Sequence, residues 1–95
     1  MERAVSRFPS RPAGLILLAE AELTAGNLDQ AIHLYLQAAA KSTNSEVAER
    51  AAFLARQAGS DVQIEQALDR WKAIDPDSRG ALEASIIFNA ERSWL

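Results

Sequence analysis

Leu28-Asp29-Gln30-Ala31-Ile32-His33-Leu34-Tyr35 is answered thirty-six residues later by Ile64-Glu65-Gln66-Ala67-Leu68-Asp69-Arg70-Trp71. Each copy opens on a branched apolar residue, runs through an acid, a Gln and an Ala, and reaches an aromatic seven residues on. A repeat of this size is one helix-turn-helix unit. Such a unit cannot cover its own apolar face, so neighbouring copies stack to bury it.

Outward from that pair, an Ala- and Leu-rich helix (A) precedes each copy, and a Gly-containing turn leads into the second helix (B). Leu15, Leu18, Ala19 and Glu22 mark the inner stripe of the first A helix, and Ala48, Ala51, Ala52 and Ala55 mark the second. Leu82, Ser85, Ile86 and Asn89 continue the same stripe in a third. These i, i+3, i+4, i+7 steps lie along one side of a helix.

Gly26 and Gly59 supply left-handed stops. Asn27 with Gln30 reads as a capping box, and Ser60 or Asp61 as the matching cap. The second turn reads as about three residues longer than the first, given the thirty-six-residue spacing of the copies. Pro12 suits the first turn of a helix, where its missing N–H costs nothing. The pattern predicts helices over 12–25, 28–41, 45–58, 61–74 and 79–93, with a remnant of an earlier B helix at 2–7. No segment alternates with a period of two between turn residues, so no strand is expected.

Composition narrows the function classes. The chain has 95 residues, 48% of them hydrophobic, which suits one globular domain with a modest core. A net charge of −3 without a basic run argues against nucleic acid as a partner. Cysteine is absent, which removes disulfides and thiolate metal sites. The longest apolar run, Leu15 to Ala19, is far short of a membrane span, and the N-terminus has no secretory-signal pattern.

His33, the sole histidine, falls on the outer side of its helix and reads as solvated. Tyr35 and Trp71 read as plugs between helices. No paired His, Cys or close carboxylates, and no phosphate-binding Gly string, offer a metal, cofactor or acid–base site. A non-enzymatic role is the expectation.

Residues 12–45 resemble a tetratricopeptide repeat. Leu15, Leu18, Ala19, Gly26, Leu28, Ala31, Tyr35 and Ala38 fall on that family's pattern, while Glu22 stands where an apolar or aromatic residue is usual. Residues 45–78 resemble a second copy through Ala52, Gly59, Ile64, Ala67, Trp71 and Pro76. The resemblance implies an all-α, right-handed solenoid of helical hairpins. Its divisions would be a remnant at 2–9, repeats at 12–44 and 45–78, and an unpaired or capping helix at 79–95, read as part of a longer array.

A narrower stretch, Thr43 to Ala51 followed by Ala58-Gly59-Ser60-Asp61 and Asp75-Pro76-Asp77, is similar to repeats of Gram-negative envelope lipoproteins, some of them protease adaptors. That likeness implies a bacterial protein of the periplasm or cell envelope; without it, the cytoplasm is the default.

In the tetratricopeptide family the A-helix face lines a concave groove that holds peptides. By position this implies Ile16, Glu20 and Leu23 from the first A helix and Glu49, Arg50, Phe53, Arg56 and Gln57 from the second. Glu83, Ile87 and Glu91 would follow from the third. Arg50 and Arg56 as paired donors would suit a guest with at least one carboxylate. The basic and Asn residues that some members use to clamp a terminal carboxylate are missing, since Ile16, Leu17 and Glu20 occupy those sites.

The function expected is a protein-binding scaffold or adaptor. The competing expectation is a structural spacer that self-associates, as a homodimer, through Ile86, Ile87, Phe88, Trp94 and Leu95. The bland alternative for that last helix is a polar-faced cap.

Overall fold

A computed structural model of the chain describes residues 11–92, the side chain of Arg92 excepted. Five helices follow one another: α1 (Pro12–Thr24), α2 (Leu28–Lys41), α3 (Ser45–Ala58), α4 (Asp61–Ile74) and α5 (Arg79–Arg92). No strand occurs among the described residues. The expected remnant at 2–9, and Trp94 and Leu95, lie outside them.

The hairpins α1–α2 and α3–α4 make the most extensive contacts, and α2 against α3 joins the two. Backbones also approach between α2 and α4, while α5 packs chiefly on α4 and more sparsely.

Both hairpins close with the same hydrogen-bond pattern. The Gly26 N–H donates to the Leu23 carbonyl and the Asn27 N–H to that of Glu22; the Gly59 N–H donates to Arg56 and the Ser60 N–H to Ala55. Gly26 and Gly59 hold φ of 86° and 72°, a region that a Cβ disfavours, so the two glycines are backbone requirements. Pro12 occupies the first turn of α1. Asn44 caps α3 by accepting from Glu46 N–H at 3.0 Å, and Ser60 caps α4 by accepting from Gln63 N–H at 3.4 Å. The Ser78 hydroxyl accepts from Ala81 N–H at 3.2 Å at the start of α5.

Three expectations are corrected. Asn27 does not cap α2 with its side chain; its amide donates to Glu22 Oε2 at 3.3 Å and braces the end of α1. The second turn is not longer: residues 25–27 join α1 to α2, and only 59–60 join α3 to α4. The three extra residues of the second copy form helix instead. Leu28 opens α2, while its counterpart Ile64 sits one turn inside α4 behind Asp61-Val62-Gln63.

The third correction is the inner stripe of α5. Ala81, Ala84, Ser85 and Phe88 face the core, while Leu82 and Ile86 are 53% and 66% exposed and Asn89 is exposed. The helix is turned by one residue, about 100°, from the expected face. This orientation buries Phe88, the largest apolar side chain described in α5, and brings Gly80 against the six-membered edge of the Trp71 indole.

The core itself agrees with the repeat. Ala19, Ala31, Ile32, Ala38, Ala48, Ala51, Ala55 and Ala67 are fully enclosed, and Tyr35 and Trp71 are buried alike. His33 is exposed, with Nε2 3.0 Å from Gln37 Nε2 one turn on.

One tie between the hairpins was not legible in the sequence. Arg70 on α4 donates to the carbonyls of Ala39 and Ser42 at 2.7 and 2.9 Å, covering the open carbonyl end of α2. A guanidinium is suited to two fixed acceptors in a way that an ammonium is not. Arg70→Met is therefore expected to lower unfolding stability by about 1–3 kcal/mol, the range for hydrogen bonds made by a charged donor. Arg70→Lys should recover less than half of that in denaturant melts. Ser85 gives the opposite sign. Its hydroxyl is buried without a hydrogen-bond partner, so Ser85→Ala should stabilise the fold by about 1 kcal/mol in the same assay.

Candidate functional site

A cleft of about 430 Å³ lies between α3 and α5, floored by α4. Each wall is one helical stripe. Glu49, Ala52, Phe53 and Arg56 come from α3; Ala84, Ile87, Phe88 and Glu91 come from α5; Asp61, Ile64, Leu68 and Trp71 come from α4. The two walls repeat the i, i+3, i+4, i+7 spacing, and the floor follows i, i+3, i+7, i+10. All three helices thus turn an apolar stripe toward one space.

The bottom is apolar and the rim is charged. Ala52, Ile64, Leu68, Trp71 and Phe88 are buried, whereas Phe53 and Ile87 stay 53% and 43% exposed on opposite walls. Because α4 runs back along α3 and α5 along α4, Arg56, Asp61 and Glu91 gather at one end of the cleft. Arg56 Nη2 meets Glu91 Oε1 at 2.9 Å and closes that end. Both side chains are 57% exposed, so the pair is a weak latch, worth under about 1 kcal/mol.

Beside the cleft, Glu20, Tyr35 and Arg50 meet across three helices. The Tyr35 hydroxyl donates to Glu20 Oε2. Burial of Tyr35 and this carboxylate raise the phenol above its ordinary value of 10.0, and the adjacent Arg50 opposes them in part. The Arg50 guanidinium also lies 5.9 Å from the centre of the Phe53 ring, within cation–π range.

The sequence-derived residues separate into groups. Of the residues expected on the groove face, Glu49, Phe53, Arg56, Ile87 and Glu91 line the cleft and Glu83 does not; Ile87 also belongs to the set expected to self-associate, from which Phe88 joins it. Glu20 and Arg50 are exposed but committed to Tyr35 and Phe53. Ile16 and Leu23 are half-buried and packed on the core, so they offer little open surface. Gln57 is exposed and does not line the cleft.

Ile86 is exposed on the outer side of α5, while Phe88 is buried and does not form an open patch. The floor residues Asp61, Ile64 and Leu68 were missed as a site, although their spacing at 61, 64, 68 and 71 was available. Trp71 was read only as a core plug; it is that and the cleft floor at once.

Among the described residues no group of three or more His, Asp or Glu is placed to hold a metal ion, and no described helix is long and apolar enough to cross a membrane. No model of a known protein family matches the chain, and no curated protein matches it in sequence.

The raised Tyr35 ionisation has a definite sign for stability. The folded state favours the neutral phenol, so that contribution is complete below about pH 10, where the phenol is neutral in the unfolded chain as well. It is lost as pH rises through and beyond that value. Chemical melts at increasing alkaline pH should show stability falling above about pH 10. Tyr35→Phe should flatten that fall while costing stability at neutral pH through the lost Glu20 bond.

Proposed function

We propose that this chain is a tetratricopeptide-like scaffold or adaptor without enzymatic chemistry, and that it holds a protein partner in the cleft between α3 and α5. The observation that carries the reading is the convergence of three apolar stripes on one open space rimmed by charge. A large exposed aromatic and an exposed isoleucine facing a common cleft are the anchors by which a groove takes apolar side chains of a guest.

The repeat architecture supports the same reading. First helices begin at 12, 45 and 79, and both hairpins close with one turn pattern. A right-handed solenoid continued by further repeats belongs to this proposal, as does the array of which these hairpins would form part.

A second reading rests on a different face. Leu82 and Ile86, one turn apart on the outer side of α5, are both more than half exposed, and the alternative is a spacer that pairs copies of itself there. Two single variants separate the readings. Ile87→Asp should abolish capture of the partner while circular dichroism stays helical, and Leu82→Asp should leave capture unchanged. If Leu82→Asp instead reduces the sedimenting mass and Ile87→Asp still captures the partner, the adaptor reading falls.

A further inference from the structure

The three stripes have the geometry of a helix bundle that lacks one member. The two wall stripes present side chains over about two helical turns, about 10 Å along the cleft, and the floor stripe over nearly three, about 15 Å. Parallel stripes with that periodicity are filled by another stripe of the same kind, because side chains at i, i+3, i+4 and i+7 interdigitate with them. An extended peptide would send alternate side chains away from the cleft and leave Phe53 and Ile87 partly uncovered.

The charges then select the guest. Arg50 and Arg56, which in the sequence suggest a carboxylate-bearing ligand, are both engaged: Arg56 by Glu91 and Arg50 by Tyr35 and the Phe53 ring. The Glu49 and Asp61 carboxylates make no hydrogen bond or ion pair with any described residue. Asp61 stands in the first turn of α4, which favours an acid there, but Ser60 makes the cap, so the Asp61 carboxylate stays open.

Antiparallel packing puts Glu49 near one end of the cleft and Asp61 near the other. With Arg56 and Glu91 cancelling, one uncompensated negative charge remains at each end.

We infer that the cleft takes a short amphipathic helix of a partner protein, its apolar stripe flanked at each end by a basic residue, the two about two turns apart. This rests on the adaptor reading above and goes beyond it in fixing the guest's secondary structure and the sign of its charge.

The test uses two synthetic helical peptides with one shared stripe of Leu at i, i+3, i+4 and i+7. One carries Lys at both ends of the stripe and the other carries Glu. Binding is read from Trp71 emission in a Trp94→Phe background, because Trp71 lies in the floor. The Lys peptide should bind about ten-fold or more tightly than the Glu peptide at low salt, as two exposed charge pairs permit. The gap should narrow as salt rises.

Glu49→Gln with Asp61→Asn should bring the two peptides to the same affinity, while Ile87→Asp should remove binding of both with the helix content intact. Equal binding of the peptides to the unaltered chain overturns the charge assignment alone and leaves the adaptor reading standing. Binding of neither peptide overturns the helical guest. A dimer that neither peptide displaces, and that Ile87→Asp dissociates, gives the cleft to a second copy of this chain and overturns the proposal.

Discussion

Trp71 against Gly80 is the contact that seats α5. A Cβ built at Gly80 would stand 3.0 and 3.2 Å from two atoms of the indole ring, so tight that the ring would have to give by a few tenths of an ångström. Glycine at this place costs about 1 kcal/mol of helix propensity against alanine, but it lets the start of α5 lie close against the six-membered edge of the indole. The contact fixes one end of α5 on α4, and the Arg56–Glu91 pair ties the other end to α3. Between those two points α5 has sparse support, and the space it leaves beside α3 is the cleft.

The rest of the molecule is a rigid base for that arrangement. Alanine dominates the inner stripes, so α2, α3 and α4 approach closely with little side-chain volume between them. Such a seam buries modest area per residue, yet it restricts side-chain freedom little, because an alanine has no rotamers to lose. Arg70 adds a directed tie across the hairpins by closing the carbonyl end of α2. The two hairpins thus hold each other in register while the last helix is held at its ends. A surface that receives a guest gains from this division, since its floor is fixed before binding.

Helix boundaries and most of the core were legible in the sequence because they rest on local chemistry. Pro12, Gly26 and Gly59 each act through backbone geometry within a few residues, and the alanine stripes follow from a period of 3.6. The facing of α5 was not legible. Leu82 and Ile86 are more apolar than Ala81 and Ala84, so periodicity favoured them; the fit of Gly80 to Trp71 and the volume of Phe88 decided otherwise, and both depend on the neighbouring helix. Arg70 was hidden for the same reason, since its acceptors lie on another repeat. Within the site, five wall residues (Glu49, Phe53, Arg56, Ile87 and Glu91) were named from the sequence through the resemblance, whereas the α4 floor passed for ordinary core. The pairing of Arg56 with Glu91, thirty-five residues apart, could not be read from either helix alone, and it reverses the charge that the rim offers.

The claim with the widest consequences is the seating of α5, and proton NMR tests it most directly. The account predicts a Gly80 α-proton moved off its ordinary shift by the Trp71 ring current, with strong nuclear Overhauser contacts between that proton and the ring's six-membered edge. A Gly80 α-proton at its ordinary shift, with no contact to the Trp71 ring, would contradict it.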